Sequence, residues 1–218
     1  MSQPHPRPSF RPPTLQPPDA RVLVVVAHPA IHRSRVNKAL AAAARAVSGV
    51  SVHDLYEAAP TGRIDVDAEQ ALLRAHDAIV LQHPLYWYST PALLKEWLDQ
   101  TLTFGWAYGP GGTALRGKTL LQVVSTGGPV AAYQPGAHND ATLPQLLLPM
   151  NRTARLCGMT SLPPLAVQGT HRLTDDQIRA AAAAYAAVLA ALRDGALDAT
   201  ATTPEGCLDA ARAVPEPA

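Results

Sequence analysis

Residues 21–38, RVLVVVAHPAIHRSRVNK, decide the fold of this chain. Their first part, Arg21–Ala27, is an almost unbroken β-branched run, which is typical of a strand buried on both faces in a parallel sheet. Apolar spacing then predicts a helix over Val36–Val47. The polar loop His28–Asn37 therefore leads a first strand into a first helix. Free backbone N–H groups and the positive end of the helix dipole favour an anionic ligand at such a place.

The composition of this loop excludes two common nucleotide sites. It contains neither the G-x-G-x-x-G pattern of dinucleotide sites nor the glycine-lysine pattern of nucleoside triphosphate sites. The hydroxyl, guanidinium and amide groups of Ser34, Arg35 and Asn37 suit a single phosphate better. A flavin phosphate is the ligand that this loop favours.

Strand and helix patterns alternate along the rest of the chain. Strands are predicted over Arg21–Ala27, Val50–Leu55, Ala78–Gln82, Thr119–Val124 and Gly158–Val167. Helices are predicted over Val36–Val47, Asp67–Ala75, Pro91–Leu102, Leu143–Cys157 and Thr174–Leu192. Thr90 is the expected N-cap of the third helix, and Thr174 with Gln177 forms the capping box of the last. The alternation predicts an α/β fold with a five-stranded parallel sheet in the order 2-1-3-4-5 and helices on both faces.

Composition bounds what else the chain can be. With 218 residues and 47% hydrophobic residues it can bury one ordinary core, and its net charge of +1 gives no case for binding nucleic acid. No apolar run is long enough to cross a bilayer, and the start has no signal-peptide pattern. The two cysteines predict neither a disulfide nor a metal site, so a cytoplasmic location is expected. Residues 1–19 are expected to form a disordered proline-rich arm, residues 20–195 one domain, and residues 196–218 a flexible tail.

Three loops are expected to meet at the carboxyl ends of strands one, three and four. These are His28–Asn37, His83–Pro91 and Ser125–Gly128. Open α/β sheets bind ligands at this edge, where the strand order reverses.

A flavin places three demands on a protein, and each loop can meet one of them. Ser34 and the start of the first helix offer donors for the phosphate. Leu85–Tyr88 offers an apolar and aromatic wall for the ring. Ring atoms N1 and O2 gain negative charge on reduction, and Gly127 and Gly128 let backbone N–H groups approach them closely.

The same segments resemble the NAD(P)H:quinone oxidoreductases of the flavodoxin-like superfamily. The likeness is strongest to the ancillary oxidoreductase of bacterial glutathione-regulated potassium-efflux systems. The matching segments are AHP with H-x-S-x-x-N-K (27–38), DAEQ (67–70), QHPLYWYSTPALLKEWLD (82–99), GWAYGPGGTALRGK (105–118) and STGG with GAH (125–138). The resemblance implies a flavodoxin-like three-layer sandwich and a homodimer that carries two electrons from NAD(P)H to quinones by ping-pong hydride transfer through flavin N5.

The resemblance also implies roles for single residues. The cofactor-binding residues would be His28, Ser34, Arg35, Val36, Asn37, Leu85, Tyr86, Trp87, Tyr88, Ser125, Thr126, Gly127 and Gly128. Tyr133 and His138, with Gly127 and Gly128, would be catalytic beside flavin O2. Trp106 and Tyr108 would line the substrate pocket near the partner's flavin.

Several alternatives stay open at this point. The nearest likeness implies FMN, whereas animal quinone reductases imply FAD, and the electron donor is either NADPH or NADH. A second function is a flavin-bearing regulatory subunit that docks on a potassium-efflux antiporter, which would place the protein at the inner membrane through that partner. A third is a one-electron carrier of the flavodoxin type, against which the long aromatic loops argue.

Overall fold

A computed structural model describes residues 20–215 of the chain. Its strands are β1 (Val22–Val26), β2 (Val50–Asp54), β3 (Ala78–Pro84), β4 (Thr119–Thr126), β5 (Thr160–Ser161) and β6 (Leu165–Gln168). Its α-helices are α1 (Arg35–Arg45), α2 (Leu55–Ala58), α3 (Val66–Arg74), α4 (Ala92–Thr101), α5 (Leu143–Leu146), α6 (Leu148–Leu156), α7 (Asp175–Arg193) and α8 (Ala210–Ala213). The proline-rich arm predicted for residues 1–19 lies outside the described residues.

The strands form one parallel sheet in the order β2-β1-β3-β4-β5, which confirms the predicted order. β6 also pairs with β4, further along the same strand than β5 does. The chain reverses its direction of travel across the sheet between β2 and β3, so β1 and β3 enclose the switch point. The carboxyl ends of β1, β3 and β4 therefore meet at one edge.

The two faces of the sheet are covered by different helices, as expected for three layers. Val24 and Val26 of β1 belong to a core that contains Leu40 of α1 and Tyr185 and Leu189 of α7. Leu23 and Val25 point to the opposite face, because side chains alternate along a strand. There they join a core that includes Leu73 of α3, Trp97 of α4 and Met150 of α6.

Two predicted elements are interrupted by prolines. The fifth strand is two short pieces, because Pro163 and Pro164 between them have no N–H group to donate to the sheet. The helix predicted over Leu143–Cys157 is α5 followed by α6, with Pro144 and Pro149 each in a first turn, where the missing N–H costs nothing.

The predicted caps of two helices have different outcomes. Thr174 caps α7 in a capping box with Gln177, as expected. Thr90 does not cap α4: Pro91 is the N-cap residue, so the helix begins one residue later and the Thr90 hydroxyl is buried without a partner among the described residues. The prediction for Thr90 was wrong because Pro91 was placed inside the helix.

Residues 196–215 are packed rather than forming the flexible tail that their weak pattern predicts. Leu197, Ala201, Leu208 and Ala213 are buried in the core that also contains α7. Backbone bonds hold the segment, for example from Leu208 N–H to the carbonyl of Pro164 at 2.8 Å. The alternation of single apolar residues with polar ones hid this packing from the sequence. None of the helices in residues 20–215 has the length and apolar character to cross a membrane.

Candidate functional site

A cavity of about 470 Å³ opens at the carboxyl ends of β1, β3 and β4. It is lined by His28, Ala30, Arg33, Ser34, Arg35, Val36, Asn37, Pro84, Leu85, Tyr86, Ser125, Gly127, Thr170 and His171. Its volume lies within the range of small-molecule sites, which is roughly 300–1,000 Å³. All three of the loops that the sequence singles out contribute to the lining.

The first loop delivers Ser34 and Asn37 to the cavity at the start of α1. Ser34 is the N-cap, and its Oγ accepts the backbone N–H of Asn37 at 3.2 Å. The buried Asn37 side chain donates from Nδ2 to Oγ of Ser125 at 2.8 Å, which ties the first loop to the third. Asn37 Oδ1 is buried without a hydrogen-bond partner among residues 20–215. The remaining free N–H groups of the first turn can bind an anion here.

His28 closes one side of the cavity as a neutral imidazole. Burial lowers its pKa, and Nδ1 accepts the N–H of Ala30 at 3.0 Å. Since Nδ1 is an acceptor, the proton of the neutral ring is on Nε2. The ring stands edge-on to Tyr86 with 6.2 Å between centroids.

Two arginines make the end of the cavity at the start of α1 positive. Arg33 lies at its edge with an exposed side chain. Arg35 is oriented by Asp175 at the start of α7, with 2.6 Å from Nη2 to Oδ1. That ion pair is exposed and contributes little to stability, but it holds the guanidinium beside the N-terminus of α1.

The second loop contributes Leu85 and Tyr86 to the lining, while Trp87 and Tyr88 turn away. Tyr86 and Ser89 exchange both backbone hydrogen bonds around a two-residue turn. The φ angles of Trp87 and Tyr88 are 48° and 61°, a conformation that is unfavourable for residues with a Cβ. Their side chains are 94% and 50% exposed, so the aromatic wall predicted over Leu85–Tyr88 is only half present in the single chain.

The third loop presents backbone rather than side chains. Ser125 and Gly127 line the cavity, whereas Thr126 is buried and its hydroxyl donates to the carbonyl of Gly128 at 2.8 Å. Gly128 lies against Tyr133, because a Cβ on Gly128 would be 3.1 Å from Cε2 of that ring. A side chain at 128 would therefore need the Tyr133 ring to move by a few tenths of an ångström.

The other predicted residues lie outside the lining. Tyr133 is buried beside Gly128, and His138 is exposed on the following loop. Trp106 packs within its own chain, with the Arg74 guanidinium 5.2 Å from its ring centroid. Tyr108 stands edge-on to Phe104 at 5.7 Å. Within one chain, Trp106 and Tyr108 do not form a substrate pocket at this cavity.

Sequence reasoning missed Thr170 and His171, which line the cavity from the loop between β6 and α7. A signal was available: Gly169, Thr170 and His171 follow the last strand directly, as the other polar loops follow theirs. The uncertain end of the last predicted strand concealed it.

The residues present fit a flavin mononucleotide. A serine-capped helix start with adjacent arginines suits a phosphate, and Leu85 and Tyr86 suit one flank of a flat ring. Asn37 Oδ1, buried and unpartnered in the described chain, can accept a ligand hydroxyl. Because Gly127 has no Cβ, ring atoms can approach its backbone beside the imidazole of His171.

Comparison with known proteins agrees with the fold. The family described as having the flavodoxin-like fold matches residues 20–189. The uncharacterised NAD(P)H oxidoreductase YdeQ of Bacillus subtilis is 46% identical over 165 residues, which are 76% of this chain and 84% of that protein.

Two solved structures are also similar. General stress protein 14 of Treponema denticola, in complex with FMN, is 39% identical with a TM-score of 0.76, over 79% of this chain and 99% of that one. An NADPH-quinone reductase of P. pentosaceus is 39% identical with a TM-score of 0.70, over 76% of this chain and 95% of that one. The chain belongs to the flavodoxin-like family.

Proposed function

We propose that this chain is an FMN-dependent NAD(P)H:quinone oxidoreductase. The observation that carries the proposal is the single cavity into which α1 directs its Ser34-capped N-terminus and β4 directs Gly127. The relatives support it, since one is named an NAD(P)H oxidoreductase, one an NADPH-quinone reductase, and one is a complex with FMN.

Each part of the cavity has a defined task in this proposal. Ser34, Arg35 and the N–H groups of α1 hold the phosphate, and Asn37 holds a ribityl hydroxyl. Leu85 and Tyr86 flank the ring, and the backbone at Gly127 approaches its N1–O2 edge. FMN, when bound, supplies a centre that accepts hydride from NAD(P)H and passes it to a quinone.

The reaction proposed is ping-pong, with the nicotinamide and the quinone using one slot in turn. In this proposal, the chain shields one side of that shared site from water and delivers a proton to the quinone. Tyr133 is the proposed donor, because it is buried beside Gly128 and its hydroxyl would be 3.4 Å from a Cβ there. His138, one loop further on, is proposed to assist it.

The proposal is tested by titrating the purified protein with FMN and with FAD, followed by steady-state assays with NADPH or NADH and a water-soluble benzoquinone. We expect stoichiometric FMN binding and parallel double-reciprocal lines when both substrates are varied. Binding of neither flavin would overturn the proposal. Intersecting lines would leave the cofactor in place and refute the ping-pong order. A regulatory role on an antiporter remains a prediction of the resemblance alone.

A further inference from the structure

The imidazole of His171 lies directly over Gly127 in the cavity. A Cβ built on Gly127 would be 2.9 Å from Nε2 and 3.1 Å from Cδ2 of His171. Both residues line the cavity, and they come from loops that follow different strands, β6 and β4. The imidazole itself borders the position that a Cβ would take, so a ligand atom that approaches Gly127 from the cavity lies beside the Nε2 edge of this ring.

Backbone hydrogen bonds fix the position of the His171 loop. The N–H of Gly169 donates to the carbonyl of Gly128 at 2.9 Å, and that of Thr170 donates to the carbonyl of Thr126 at 3.0 Å. These bonds continue the pairing of β6 with β4 beyond the strand ends. A third bond, from Arg172 N–H to the carbonyl of Gly169 at 2.9 Å, closes the loop into a turn. The loop that carries His171 is thus hydrogen-bonded directly to residues 126–128.

His171 differs from the other histidine that lines the cavity. Nδ1 of His28 is already engaged by the N–H of Ala30. The exposed His171 ring has no hydrogen-bond partner among the described residues, so its ring N–H is free to donate to a ligand. His171 is therefore the lining side chain that places a ring N–H beside Gly127.

We propose that His171 donates a hydrogen bond from Nε2 to the N1–O2 edge of FMN above Gly127 and so favours the reduced cofactor. This inference rests on the proposed function. Two-electron reduction places negative charge on that edge, so a fixed donor there binds reduced FMN more tightly than oxidised FMN. The hydride comes from NAD(P)H and leaves to the quinone, and His171 keeps its own proton throughout.

The test compares the variants His171→Ala and His171→Gln with the control Arg172→Gln. Arg172 is the next residue of the same turn, is exposed and does not line the cavity, so its variant removes nearby charge without removing the donor. The measurements are the Kd of oxidised FMN and the midpoint potential of bound FMN. We expect His171→Ala to lower the preference for reduced FMN about tenfold, which is about 30 mV for a two-electron couple.

The outcomes separate the inference from the proposed function. His171→Gln, which retains an N–H donor, is expected to lie closer to wild type than to His171→Ala, and Arg172→Gln is expected to match wild type. An unchanged potential in His171→Ala, or an equal shift in Arg172→Gln, overturns the inference while FMN binding by the wild-type protein upholds the function. Failure of the wild-type protein to bind FMN overturns both.

Discussion

Ser34 and Asn37 serve the start of α1 and the cavity at the same time. Oγ of Ser34 satisfies the N–H of Asn37, and the Asn37 side chain reaches across to Ser125. Because both residues are held by the fold, their polar atoms are presented to a ligand with little loss of side-chain entropy. The same bonds mean that substitutions here affect folding as well as binding.

Ser34→Ala and Asn37→Ala are each expected to weaken FMN binding by about 1–2 kcal/mol, because Ser34→Ala loses a contact with the charged phosphate and Asn37→Ala a hydrogen bond to a neutral hydroxyl. Ser34→Ala also removes an N-cap, which costs about 1 kcal/mol of stability. The matched control is Asp65→Ala, which removes the N-cap of α3. Fluorescence titration with FMN and urea unfolding of the apoprotein separate the two effects. Unchanged FMN affinity in both cavity variants would contradict the assigned phosphate loop.

His83 is a buried titratable group near the end of β3, at the start of the second loop. Its Nδ1 donates to the carbonyl of Pro84 at 2.9 Å, while Nε2 is buried without a partner in the described part of the chain. Burial lowers the pKa of His83 from 6.5 to about 4. The unfolded chain therefore binds a proton at a higher pH than the folded chain does. Stability is complete above pH 6.5 and is lost as the pH falls towards 4.

Urea unfolding between pH 7 and pH 4 is expected to show a loss of about 3 kcal/mol from His83 alone, by the usual conversion of a pKa difference into free energy. His83→Gln keeps a side-chain N–H but does not titrate, so its stability is expected to fall less over the same range. His138→Gln, a change at an exposed histidine, serves as the control for removing any imidazole. Identical pH profiles for wild type and His83→Gln would show that His83 does not titrate in this way.

Sequence reasoning placed Ser34, Asn37, Leu85 and Gly127 at one edge because each lies in a loop that follows a recognisable strand. It could not place Trp87 and Tyr88, whose side chains turn outward. Their positive φ angles arise from the tight turn between Tyr86 and Ser89, and aromatic residues carry no local signal for that conformation.

At the element scale, the strands that were predicted best are the continuous buried ones. β1, β3 and β4 are buried along their whole length. β1 is an unbroken apolar run, and β3 and β4 are mainly apolar with a few polar residues. The wrong predictions lie where proline sets the bounds of an element or where tertiary packing orders a segment. Pro163 and Pro164 divide the last strand, and the packing of residues 196–215 depends on contacts with α7 that no local pattern encodes.

Leu208→Ala tests whether the segment after α7 is part of the core. Leu208 is buried, and its N–H bonds to the carbonyl of Pro164. We expect a loss of about 2–5 kcal/mol, as for other buried leucines. Pro204→Ala, at an exposed position of the same segment, is the control and is expected to change stability by less than about 0.5 kcal/mol. If both variants lose equally little stability, the segment is flexible and is not part of the core.

At the scale of the whole molecule, one side of the sheet carries an apolar surface that the single chain does not cover. Phe104 and Leu156 are 68% and 65% exposed. Next to them lies a groove of about 330 Å³ between α4 and α6. Its apolar lining includes Leu98, Met150 and Leu156, and the ion pair of Lys95 and Asp99 also lines it. Large contiguous apolar patches are uncommon on monomeric proteins, so we expect a partner to cover this surface.

We predict that a second copy of the chain is that partner and that the protein is a homodimer. Light scattering should then give twice the mass of 23.0 kDa. Leu156→Glu places a charge in the groove and should shift the population towards monomer. Ala42→Glu is the control, since Ala42 is exposed on α1, on the opposite face of the sheet. If Trp106 and Tyr108 act near a partner's FMN, quinone reduction should fall with dissociation; a 23.0 kDa species with full activity would contradict the dimer.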